Sequence, residues 1–196
     1  MASVLERGDI TFFYRPTVQA ADATQVVPGI QSFFFVLSPA VRQFHRRVRV
    51  GRKRMPAPTG ERFWAVVERV GSMQRVLGDV IEPEVYVTKT RGERYQPGAR
   101  PIAQGCYAFV QHEDHTHLVY RVDLAEPDVP EELAIPEAAS HLVLFERLDR
   151  TRGVWTTGGV PTRFDSEGEE LVLVGVDTEP ERELGIEVLP AAPAWS

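Results

Sequence analysis

The stretch Gly105-Cys106-Tyr107-Ala108-Phe109-Val110-Gln111-His112-Glu113-Asp114-His115-Thr116-His117-Leu118-Val119-Tyr120 decides the fold class. Two apolar, aromatic and β-branched runs, Cys106–Gln111 and Thr116–Leu124, flank a short polar turn, which is the signature of a β-hairpin. With Glu113-Asp114 as a two-residue turn, His112 falls opposite His115 and Val110 opposite His117. Side chains alternate faces along a strand. His112, His115 and His117 therefore share one face, and Tyr107, Phe109, Leu118 and Tyr120 share the other, which is the candidate core face.

Further strand signals lie on both sides of this hairpin. Ile10–Arg15 follows Gly8-Asp9 and is stopped by Pro16. Gln31–Leu37 follows Pro28-Gly29 and ends at Ser38-Pro39. His45–Arg54 alternates about Val48 and Val50, and Arg62–Val70 ends at Gly71. His141–Leu148 and Leu171–Val176 complete the set. Helical patterns are few: Ser72–Leu77 with Ser72 as N-cap, and Pro39–Phe44, with isolated turns at Glu131–Leu133 and Pro136–Ala139. The 15 Gly and 15 Pro break up long helices. The chain is expected to be mainly β (α+β): a bent sheet or partly open β-barrel of about eight strands with few short helices. Val18–Gly29, Glu82–Pro101 and Arg150–Gly168 read as long connections. No internal repeat is visible. The Pro/Ala-rich tail from Pro190 reads as frayed, with Trp195 able to dock it.

A chain of 196 residues suits one domain and can bury a sizeable core without a disulfide or metal staple. The expected organisation is a β-rich core over residues 1–148 and an acidic C-terminal extension, 149–196, packed on it. No apolar run approaches the ~20 residues that span a bilayer, and the N-terminal residues lack the pattern of a secretory signal. Cytoplasmic residence is the expectation, with no membrane partner. The single cysteine, Cys106, excludes an intrachain disulfide. Its apolar strand context favours a small buried hydrophobe over a nucleophile served by His112 or His115.

The net charge of −6 argues at first against a nucleic-acid partner. Its distribution reverses that inference. Residues 1–122 carry 17 basic against 11 acidic side chains, and residues 123–196 carry 5 against 17. Opposite-signed parts can attract within one fold, or one can present a basic face. Twenty of the 22 basic residues are Arg, a skew that genome composition alone can produce.

Three stretches could carry chemistry. The histidines His112, His115 and His117, on one hairpin face, could take Zn²⁺ or a similar divalent ion, and a bound metal could activate water for hydrolysis. The plain alternative is a solvated hairpin tip. No other cofactor is expected. The second stretch, Arg42–Arg54, holds seven basic residues in 13 positions and no acid. Val48 and Val50 anchor one face with Arg46, so Arg47 and Arg49 are expected to be exposed, with Arg52 and Lys53 following; such guanidinium clusters bind phosphates. An edge strand whose charges block aggregation is the alternative. The third, Thr88–Pro101, reads as a polar loop with Lys89, Arg91, Arg94 and Arg100, in which Tyr95 could stack on a base. A plain surface loop is its alternative.

The opening Glu6-Arg7-Gly8-Asp9-Ile10-Thr11-Phe12-Phe13-Tyr14 and the later strand Arg62–Val70 resemble strands of PUA-like or EVE-type barrels. That resemblance covers about a third of the chain. It implies a PUA-like barrel and binding of RNA or modified bases, and it transfers no site residue. The chain as a whole resembles an uncharacterised prokaryotic protein family that implies no activity. The leading expectation is a non-catalytic protein that binds a phosphate-bearing partner, RNA or a nucleotide, through a basic groove. The alternatives are a protein-interaction or assembly component and a metal-dependent hydrolase. The sequence sets no oligomeric state.

Overall fold

The computed structural model describes residues 2–21, 29–146, 155–157 and 159–188. Its strands are β1 (Ser3–Pro16), β2 (Gln19–Ala20), β3 (Ile30–Pro39), β4 (His45–Val50), β5 (Arg62–Gly71), β6 (Glu84–Thr88), β7 (Gly92–Gln96), β8 (Arg100–His112), β9 (His115–Ala125), β10 (Ala138–Glu146), β11 (Trp155–Thr156) and β12 (Glu170–Asp177). Helix α1 spans Met73–Ile81 and α2 spans Pro180–Leu184, with single 3-10 turns at Glu131–Leu133 and Thr162–Asp165.

Eight strands close an antiparallel barrel. β1, β3, β4 and β5 follow one another as a meander, and β8, β9, β10 and β12 form a second. The seams are β1–β8 on one side and β5–β12 on the other, with β11 appended to β10. The mainly β, eight-stranded reading holds, and the barrel is fully closed. Closure removes the sheet edges that an open sheet would leave unpaired.

The β8–β9 hairpin has the expected register, with His112 opposite His115 and Val110 opposite His117. Glu113 adopts the left-handed conformation (φ 55°) that the first central residue of such a turn takes. Tyr107, Phe109, Leu118 and Tyr120 point into the barrel and are fully buried. They meet Phe12, Phe33, Phe35 and Phe145 there, Phe12 and Tyr120 edge to face with centroids 5.0 Å apart. The outer face of β8–β9 is covered as well. Cys106, Ala108, Val110 and Val119 lie beneath Leu184 of α2 and Val188. Cys106 is a buried hydrophobe, and burial raises its thiol pKa.

The apolar run of β3 has a similar cause. Phe33, Phe35 and Leu37 face the core, while Phe34 and Val36 face outward under Val76 and Leu77 of α1. α1 begins at the expected N-cap, the Ser72 hydroxyl accepting from the Arg75 N–H, and runs four residues beyond Leu77.

Four expectations are corrected. Pro39–Phe44 is not helical: β3 continues to Pro39, and the Ala40 N–H donates to the Arg7 carbonyl at 2.9 Å. Val41 is 96 % exposed, so an apolar helical face there would have had nothing to pack on. The Glu82–Pro101 connection is instead the hairpin β6–β7, joined by β2 into a separate three-stranded sheet. Residues 136–139 are not an isolated turn, since β10 starts at Ala138. Finally, the stretch from 149 onward is not an extension laid on a finished core, because β12 stands between β10 and β5 and closes the barrel. Residues 22–28 of the first long connection, residues 147–154 and 158 around the third, and the tail from Pro190 lie outside the described residues. No helix among the described residues is long and apolar enough to cross a membrane.

Candidate anion-binding site

β4 carries the densest positive charge, and its alternation sends successive arginines to opposite sides of the wall. Arg46 points inward with Val48 and Val50 and has no exposed surface. Its guanidinium donates to the Glu6 carboxylate at 2.5 and 3.1 Å and to Asp165 at 2.5 and 2.8 Å. The Tyr107 hydroxyl donates to the same Glu6 at 2.7 Å, and Arg42 donates to Asp165 at 2.6 Å. Desolvation opposes the charge on Arg46, and Glu6 more than offsets it, so the pKa is raised. Burial and the Glu6 charge raise the Tyr107 pKa. This network seals one barrel end, where Phe164 packs on Phe109 and Phe145. Asp165 belongs to the acidic part of the chain, so the opposite-signed parts do meet as partners.

Arg47 and Arg49 point outward together, as expected, but only Arg49 is accessible. Arg47 is 3 % exposed. α1 lies across it, and its guanidinium donates to the Val76 carbonyl at 2.8 Å and to Asp79 at 2.6 and 3.0 Å. Its Nε lies 3.1 Å from Glu68, and its cation sits over the Phe34 ring at 5.6 Å. The hydrogen bond from Arg47 holds the Asp79 carboxyl below the usual range. The expectation of an exposed Arg47 fails because the sequence alone does not show that α1 packs there.

Beside Arg47 the barrel wall and the end of α1 frame a cleft of about 560 Å³. Arg15, Arg47, Arg49 and Arg69 line it, against Glu68 and Asp79. Strand pairing builds the array: Arg15 is opposite Ser32, Arg49 is opposite Phe34 and Val66, and Arg47 is opposite Arg69. Arg49 Nε donates to Glu68 at 2.5 Å, and Arg69 donates to the Glu68 carbonyl at 2.9 Å. Arg15 Nε donates to the Pro97 carbonyl at 3.2 Å, while its Nη2 is buried without a hydrogen-bond partner. An unmet guanidinium N–H is costly in a site shielded from water.

The other expected site residues lie elsewhere. Arg52 and Lys53 sit on the exposed bend after β4 and line a second cleft, of about 710 Å³. Arg54, in the same cleft, is committed to Glu61 through two contacts of 2.7 Å. Arg91 is at the β6–β7 turn, Arg94 and Tyr95 are on β7, and Arg100 starts β8. Tyr95 is 37 % exposed and pairs with Gln19 of β2. None of these four lines either cleft.

The three histidines share a face but not an environment. His115 is exposed, with Nδ1 2.8 Å from Asp114. His117 is buried, with Nδ1 2.9 Å from the Ser140 hydroxyl. Burial, then the neighbouring imidazoles, lower its pKa to about 4. Among the described residues no group of three or more His, Cys, Asp or Glu is arranged to hold a metal ion. His117 is positioned by β10, which pairs with β9 and brings Ser140 to its Nδ1.

Arg15 and Arg69 are the site residues that sequence reading missed. Each was legible as an outward residue of its own strand. Their convergence with Arg49 depends on strand order, which local patterning does not carry. Comparison of the chain with protein-family models, curated proteins and solved structures finds no match.

Proposed function

We propose that the protein is a non-catalytic binding protein that recognises a phosphate-bearing partner, RNA or a nucleotide, through the cleft of Arg15, Arg49 and Arg69. The convergence of Arg15, Arg47, Arg49 and Arg69 on one cleft carries this reading. Four guanidinium groups against two carboxylates leave the cleft positive. Guanidinium forks match phosphate oxygens two at a time, which an isolated Lys does not do. Arg47 serves as a buried strut in this scheme, since it is already held by Asp79 and Glu68. The resemblance of the segments around Gly8–Tyr14 and Arg62–Val70 to PUA-like barrels supports the same class of partner.

The test is fluorescence anisotropy with a labelled single-stranded RNA and a labelled nucleoside triphosphate over a salt series. Binding is expected at low salt and should fall steeply as salt rises, because phosphate contacts release counterions. Arg49→Glu and Arg69→Glu are each expected to weaken binding several-fold and to flatten the salt slope by about one unit. No binding at low salt, or binding indifferent to salt, overturns the reading.

A further inference from the structure

β6 is the edge strand of the β2–β7–β6 sheet, and among the described residues it pairs only with β7. Glu84 to Val87 are all exposed, and three of these four are apolar: Val85 (59 %), Tyr86 (36 %) and Val87 (77 %). Ile81, at the end of α1, extends the patch at 42 %. Sheet edges in soluble proteins are usually blunted by charge, proline or a bulge, since their unpaired backbone groups template further pairing. β6 has Pro83 and Glu84 at its start and nothing of that kind through Val85, Tyr86 and Val87. Its flanks have opposite signs, with Glu82 and Glu84 before the apolar run and Lys89 and Arg91 after it.

We propose that β6 pairs antiparallel with β6 of a second copy of this chain, about a twofold axis at Tyr86. The two three-stranded sheets then become one of six strands. In this register Val85 lies opposite Val87 of the second copy and Glu84 opposite Thr88, so the acidic end of each strand meets the end bearing Lys89 and Arg91 of the other. Parallel pairing would set like charge on like charge, which is how charge selects the antiparallel form. The contact is isologous and closes at two copies. A five-residue edge buries less than a standard interface, so the dimer is weak and depends on concentration. The inference does not rest on the anion cleft, whose arginines lie on the barrel wall.

Sedimentation velocity tests it. The 22.0 kDa chain is expected to shift toward twice its mass as concentration rises to roughly 0.1 mM. Val87→Lys should remain monomeric with unchanged circular dichroism. Glu82→Lys/Glu84→Lys and Lys89→Glu/Arg91→Glu should each be monomeric alone and dimerise when mixed. On mild oxidation Tyr86→Cys should cross-link between copies, and Val41→Cys, on an exposed turn elsewhere, should not. A wild-type monomer throughout this range, or a dimer that survives Val87→Lys, overturns the proposal.

Discussion

The two hairpins β8–β9 and β6–β7 use similar residues and occupy opposite environments. β8–β9 is buried on both faces, inward by the aromatic core and outward by Leu184 and Val188. β6–β7 packs little of itself: Val85 and Val87 are more than half exposed, and the Arg94 guanidinium only reaches the Val18 carbonyl at 3.5 Å. The difference teaches that a strand's sequence signal comes from burial. Continuous apolar runs make β8–β9 readable at once, whereas in Glu84–Gln96 only Val85–Val87 form an apolar run and the polar stretch Thr88–Gln96 reads as a loop.

The largest effect should come from Phe109→Ala, which removes a fully buried ring that touches Tyr107 and Phe164. A loss of roughly 3–5 kcal/mol is expected, read by urea denaturation. If it costs no more than a substitution in β6, the contrast between the hairpins breaks.

An intermediate effect should follow acidification. His117 lies on the outer face of β9 and His141 inside the barrel on β10, and the pKa of each is lowered to about 4, chiefly by burial. The unfolded chain takes up protons near pH 6.5, before the folded one does. Stability is therefore complete above that pH and declines as pH falls from about 6.5 toward 4. His141 alone accounts for about 3 kcal/mol across that window. Melting temperatures measured through it should decline, and His141→Gln should flatten the slope. An unchanged slope would remove burial of this imidazole from the account.

The smallest effect sharpens the comparison from the other side. Val85→Thr in β6 should change monomer stability by less than about 0.5 kcal/mol, since an exposed edge position offers little packing to lose. A loss above about 1 kcal/mol would mean that β6 is covered in the monomer.

The sequence by itself determined local matters. It specified the eight strand segments of the barrel, the register of the His112–His115 hairpin, the Ser72 cap, the inward set Tyr107, Phe109, Leu118 and Tyr120, and the outward direction of Arg47 and Arg49. Each follows from a period of two or from one turn of backbone, which neighbouring residues dictate. Tertiary structure decided everything that depends on which strands become neighbours. It placed β12 in the barrel wall, brought Glu6 and Asp165 to Arg46, laid α1 over Arg47, put Ser140 against His117, and gathered Arg15 and Arg69 around Arg49. These pairs are tens of residues or more apart in the chain, so no local window contains both members. For the same reason charge counted along the chain could suggest a basic face but could not place it. Most cations of Arg42–Arg54 are spent on internal carboxylates, and the cleft that remains is assembled by strands β1, β4 and β5 lying near one another.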